Sequence, residues 1–172
     1  MGTKQESSSP FSHEMCTDPL DIAILRFLQK SGKATNQEVG EAVGLSASAA
    51  SRRIQAHEEA GVIRGYQALV NDKALGRNMT AFIRVTLEKQ SAALLQAFET
   101  AIQRCPNVES CHLMAGQYDY MLLVKVADIA DYEHLHQKEL SRLPGVVRIE
   151  SNFAVREVIG TGASRHRSSR DL

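Results

Sequence analysis

The sequence has no tryptophan, and aromatic residues make up 5% of its 172 positions. That is too few rings for a platform on which single-stranded nucleic acid would stack. Neither sign of charge is in excess, since Lys+Arg and Asp+Glu number 20 each. The balance excludes a bulk polybasic coat, yet leaves room for one local DNA-binding surface. The three cysteines, Cys16, Cys105 and Cys111, are odd in number and form no Cys-x-x-Cys. A disulfide framework or a zinc site is therefore not expected, and all three read as plain thiols. No apolar run approaches the roughly 18 residues of a bilayer span. The segment Met1–Ser7 carries no apolar signal core. The expected setting is the cytoplasm, without membrane contact.

Chemistry-bearing constellations are also missing. His134 and His136 are two apart on a helical stretch and point to different faces. Cys111 and His112 are adjacent on a strand stretch and face opposite sides. Glu99, Glu109, Asp128 and Asp131 form no spaced acid–base pair. Gly160-x-Gly162 precedes a polar tail, not a helix, so no phosphate loop is present. No catalytic residue, metal ligand or cofactor is expected, and the protein does not read as an enzyme.

What is present is a hydrophobic fraction of 43%, enough for a core in one ordinary domain or two small ones. Residues 1–17 are polar and serine-rich and read as a disordered arm; residues 159–172 read as a disordered tail with Arg165, Arg167 and Arg170. Between them the period changes once. Residues 18–65 carry helical periods only. Asp18-Pro19 is a helix start, and Leu20, Ile24, Phe27 and Leu28 share one face. Ser31-Gly32 ends that helix, and Thr35 with Glu38 forms a capping box for a second. Val39 and Val43 are its inner stripe, Gly44 suits a sharp turn, Leu45 is a buried turn residue, and Ser46 caps a third helix that Gly61 stops. Three short helices with a glycine-containing turn make a helix-turn-helix, and the extended stretch after the third suggests a winged version.

After a linker at 66–77, residues 78–158 read as strand–helix–strand twice: strands at Met79–Leu87, Val108–Ala115, Tyr118–Val126 and Val146–Phe153, and helices at Ala92–Arg104 and Ile129–Leu143. The order βαββαβ is the ferredoxin-like split motif. The expected fold class is thus α+β, an N-terminal winged helix-turn-helix domain and a C-terminal ferredoxin-like domain. Helices cover one face of the antiparallel sheet, so the other face needs a cover, and a dimer through the sheets is expected.

Leu20-Asp21-x-x-Ile24-Leu25, Val43-Gly44-Leu45-Ser46, Arg53-Ile54, Gly61-Val62-Ile63-x-Gly65-Tyr66, Gly116-x-Tyr118-Asp119-Tyr120 and Leu143-Pro144-Gly145-Val146 run in this order over residues 18–158. The combination resembles the Lrp/AsnC (feast/famine) family of regulators. The resemblance implies a sequence-specific transcription regulator. Its C-terminal domain would be a regulatory module of the RAM/ACT type. Its partners would be double-stranded operator DNA, further copies of itself as dimers assembling to octamers, and a small-molecule effector, an amino acid, held where dimers meet.

The third helix is the expected DNA reader, with Ala50, Ile54 and His57 turned inward. Small residues let it sit deep in the major groove. Arg52 is the expected base reader, pairing with guanine, and Gln55 can pair with adenine. Ser46 and Ser48 can meet phosphate near the helix start. Thr35 and Ser51 complete the candidate contacts. Arg53 reads either as a phosphate clamp or as an intradomain pair. His57 stands where family members usually carry an apolar residue and reads as a packed core histidine. For the effector, Asp119 is the expected carboxylate for an ammonium group, unless it only pins its turn. Gly116 would let backbone donors approach the effector's carboxylate. By the resemblance, Ile129, Asn152, Phe153 and Ala154 would line the side-chain pocket.

Overall fold

The computed structural model describes residues 18–159. The chain forms two compact units that part between Leu69 and Val70.

The first unit holds α1 (Pro19–Lys30), α2 (Asn36–Val43) and α3 (Ala47–Glu59). Each begins on a side-chain cap, which satisfies amides that have no partner inside the helix. Asp18 accepts from the Leu20 amide at 2.8 Å. Thr35 and Glu38 form the reciprocal capping box. Ser46 accepts from the Ala49 amide. Ile24, Leu28, Val39, Ala50 and Ile54 form the buried centre. Leu45, expected to be buried, is half-buried at its edge, because the turn that carries it runs over the surface. Gly44 closes α2 in the left-handed region at φ 75°. The expected wing is present only as extended chain: Arg64–Asn71 pair with no strand among the described residues. This stretch is held at its start, where the Val62 and Ile63 amides donate to the His57 carbonyl. The Tyr66 hydroxyl donates to Glu58 at 2.8 Å.

The second unit opens with a 3-10 turn at Asp72–Leu75, inside the stretch expected as linker. The Lys125 ammonium fastens it to the sheet, 2.6 Å from Asp72 and 3.0 Å from Glu109. Strands β1 (Met79–Leu87), β2 (Val108–Leu113), β3 (Tyr120–Val126) and β4 (Val146–Phe153) form one antiparallel sheet in the order β2-β3-β1-β4. Helices α4 (Ala92–Ile102) and α5 (Ile129–Lys138) lie between β1 and β2 and between β3 and β4 in the chain. Alternation decides the two faces. Ala81, Ile83, Val85 and Leu87 of β1 and Tyr120, Leu122, Val124 and Val126 of β3 are buried with Phe98, Ile102 and Leu135 of the helices. Phe98 stacks on Tyr120 with ring centroids 4.3 Å apart. The opposite face carries Phe82, Arg84, Met121, Leu123, Arg148 and Glu150. Phe82 at its centre is 46% exposed.

Candidate DNA interface and effector site

On α3 the apolar positions Ala50, Ile54 and His57 recur at spacings of four and three, so one stripe turns inward and the opposite edge stays in solvent. That edge presents Ser46, Ser48, Arg52 and Gln55, all exposed, with Ser51 half-buried beside them. The Ser46 and Ser48 hydroxyls lie 3.2 Å apart at the helix start, where unpaired amides favour an anion. Among the described residues Arg52 makes no ion pair. The Gln55 amide donates to Glu59 one turn on, at 2.8 Å. Thr35 sits at the start of α2, and its hydroxyl is held by Glu38 at 2.9 Å.

Of the two readings of Arg53, the structure has the intradomain pair. Its Nη1 lies 2.7 Å from Asp18 and 2.7 Å from Asp21, both on the start of α1. Arg53 therefore ties α3 to α1. Hydrogen bonds to Asp21 and Asp18 push its guanidinium pKa up. The Leu20 amide first, and Arg53 second, hold the Asp18 carboxyl below its ordinary value. The sequence marks Asp18 as a cap but does not mark Asp18 and Asp21 as the partners of Arg53. Their three-residue spacing on one helix face was visible, but nothing local says which helix that face meets.

Asp119, the expected ammonium partner, is engaged within the chain. The residue is 4% exposed. One carboxylate oxygen accepts from the Leu87 amide at 2.7 Å and the other from the Gln90 side chain. The β2–β3 connection folds it against the end of β1, where its own amide donates to the Val85 carbonyl. Within one chain Asp119 pins this turn, with both oxygens hydrogen-bonded. Gly116, at the exposed tip, has φ 149° and no neighbour within 4 Å of where a Cβ would lie.

The other expected pocket residues lie elsewhere on the sheet. Phe153 pairs with Ala81, and the Ala154 amide donates to the Thr80 carbonyl. From Val85 to Ala81 is four residues of strand, or about 14 Å. One chain thus keeps the Gly116–Asp119 turn apart from Phe153 and Ala154. Phe153 meets Tyr132 edge-on at 4.9 Å, and Ile129 begins the same helix, 57% exposed. Asn152 pairs with Phe82 and faces the open side, away from Phe153. Between α4 and β2 runs a groove of about 410 Å³ lined by Glu99, Gln103, Cys111 and Tyr120 among others. The Tyr120 hydroxyl donates to Glu99 at 2.9 Å, and burial pushes its pKa up. Among the described residues no group of acids, histidines and cysteines could hold a metal ion. No described helix is long and apolar enough to cross a membrane.

A capped helix-turn-helix joined to a ferredoxin-like unit defines a class of two-domain DNA-binding regulators. Comparison with known proteins narrows it. Residues 18–56 match the AsnC-type helix-turn-helix domain, and residues 80–164 match the Lrp/AsnC ligand binding domain. An uncharacterised HTH-type transcriptional regulator of Sinorhizobium fredii is 46% identical over 117 residues, 68% of this chain and 92% of the relative. The leucine-responsive regulatory protein of Haemophilus influenzae is 37% identical over 141 residues, 82% of this chain and 85% of its own. A transcriptional regulator of Neisseria meningitidis, solved in complex with L-methionine, superposes with a TM-score of 0.78 at 33% identity, covering 83% of this chain and 92% of that one. The chain belongs to the Lrp/AsnC family of transcriptional regulators.

Proposed function

We propose that the protein binds promoter DNA as a homodimer through α3, and that an amino acid held between copies sets its affinity or its assembly. The observation that carries the reading is the exposed polar edge of α3, from the cap Ser46 through Ser48 and Arg52 to Gln55. Arg52 is the base reader, and Ser46, Ser48, Thr35 and Ser51 are backbone contacts. Arg53 holds the helix in place. Residues 18–65 are the reading domain, 66–77 the connection and 78–158 the regulatory domain, working in the cytoplasm without catalysing a reaction.

The half-exposed apolar centre of the open sheet face supports pairing of two sheets. Dimers then assemble further, to octamers. The separation of Gly116 from Ile129, Phe153 and Ala154 supports an effector site completed by a second copy. The Neisseria relative's L-methionine complex makes an amino acid the first ligand class to try. With Asp119 closed, the ammonium must meet another acceptor.

The test is binding to the DNA upstream of the protein's own gene, at fixed salt, with and without each common amino acid. Specific binding altered by one amino acid is the expected result. Arg52→Ala is expected to relax base preference at one position, costing about 1–3 kcal/mol on the best site. Unchanged affinity and specificity in that variant would remove Arg52 as reader.

A further inference from the structure

His57 is the one buried side chain among the described residues whose nitrogen has no partner: its Nδ1 is enclosed and unbonded. The residue is 2% exposed. Its other nitrogen, Nε2, lies 3.3 Å from Asp21 Oδ1. The same oxygen receives Arg53 Nη1 at 2.7 Å. Arg53 and His57 are four apart on α3, and Asp18 and Asp21 are three apart on α1, so each pair shares a helix face. Two residues of each helix therefore meet in one cluster. The His57 carbonyl also takes the Val62 and Ile63 amides, which turns the chain away after α3.

Resting on the proposed role of α3 as the DNA-reading helix, we propose that His57 is a positioning residue for that reading: as the Nε2–H tautomer it holds Asp21 in the place where Asp21 receives Arg53, and so fixes the roll of α3 on α1. An apolar side chain would fill the space but leave Asp21 with Arg53 alone. The tautomer follows from the surroundings. A proton on Nδ1 would bury an N–H with no acceptor, which is costly, whereas a bare lone pair is the cheaper orphan. A proton on Nε2 instead has a carboxylate oxygen 3.3 Å from its nitrogen. The roll matters because side-chain tips lie about 5–6 Å off a helix axis. Each 10° of roll moves them by about 1 Å, a large part of the tolerance of a hydrogen bond to a base edge. Arg52 is the neighbour of Arg53 in sequence and rides directly on this anchor.

The test compares the wild type with His57→Leu and His57→Gln in the full chain. The glutamine keeps an N–H donor at similar reach; the leucine fills the space without one. The probes are a duplex selected from random-sequence DNA with the wild-type protein and a scrambled duplex of the same length. His57→Leu is expected to weaken binding to the selected duplex about tenfold while its binding to the scrambled duplex stays within about twofold. His57→Gln is expected to recover most of the loss. Nitrogen NMR of the wild-type imidazole at neutral pH is expected to show the proton on Nε2. If His57→Leu binds both duplexes like the wild type, or if glutamine recovers nothing while folded, His57 only fills the core. If the leucine variant fails to fold, the tautomer and the glutamine variant decide, and a proton resident on Nδ1 overturns the proposal.

Discussion

Gly40 is where two backbones touch inside the reading unit, and adding one methyl there is a sharp probe. A Cβ at this position would lie 2.6 Å from the Leu45 carbonyl oxygen, 3.2 Å from the Ser46 carbonyl carbon and 3.3 Å from the Ala47 amide nitrogen. All three atoms are main chain, so no rotamer can move them aside. The contact is already tight, since the Leu45 amide donates to the Gly40 carbonyl at 2.8 Å. Two effects compete in Gly40→Ala. Overpacking costs about 1–3 kcal/mol. Alanine's better helix propensity returns about 0.5–1 kcal/mol. The collision wins, because its nearest atom is main chain, and a net loss of about 1–2 kcal/mol is expected. In a unit of this size that lowers the melting midpoint by several degrees, at about 4–8 °C per kcal/mol. Relief of the clash must also push α3 away from α2, so specific DNA affinity falls with stability. The assay is thermal unfolding followed by far-UV circular dichroism, paired with duplex binding. Gly44 is the control. It has φ 75° and open space around a Cβ, so its constraint is conformational. Gly44→Asn is expected to be tolerated better than Gly44→Ala, because asparagine enters the left-handed region more readily. A Gly40→Ala protein that melts at or above the wild-type midpoint refutes the steric reading of the turn.

Three further outcomes follow from the geometry. Asp119→Ala leaves the buried Leu87 amide without an acceptor, so the regulatory unit is expected to lose about 1–3 kcal/mol in urea unfolding; an unchanged midpoint would return Asp119 to ligand duty. Asp18 and Glu38 both titrate below their ordinary values, through the Leu20 and Thr35 amides first. A carboxyl depressed in the folded state stabilises fully above its unfolded value and loses that contribution as pH falls through the lower folded one. The first unit is therefore expected to weaken below about pH 4, and Asp18→Asn, which keeps a good cap, to flatten that acid limb in urea midpoints. Burial pushes the Cys105 and Cys111 thiols up to about 11 each. Iodoacetamide mapped by mass spectrometry at about pH 8 is expected to label both far more slowly than an unfolded control.

The sequence by itself determined what is written in local chemistry. Asp18, Thr35 and Ser46 cap the three helices they were expected to cap, because a cap is an interaction over three residues of chain. Period-two alternation in β1 and β3 and the strand–helix order defined the ferredoxin-like unit. The exposed face of α3 was legible because Ala50, Ile54 and His57 mark its inner side. Contacts across elements were decided only in three dimensions. Whether Arg53 clamps phosphate or binds Asp18 and Asp21 depends on how α1 crosses α3. Asp119 looked like an open carboxylate until the β2–β3 connection laid it against the Leu87 amide and Gln90. The resemblance grouped the pocket residues near β4 with the Gly116 turn at a site between dimers; antiparallel register places them toward opposite ends of β1 within one chain. A side chain's type is fixed when the chain is made; its partner is fixed by register and helix crossing, which no short window of residues contains.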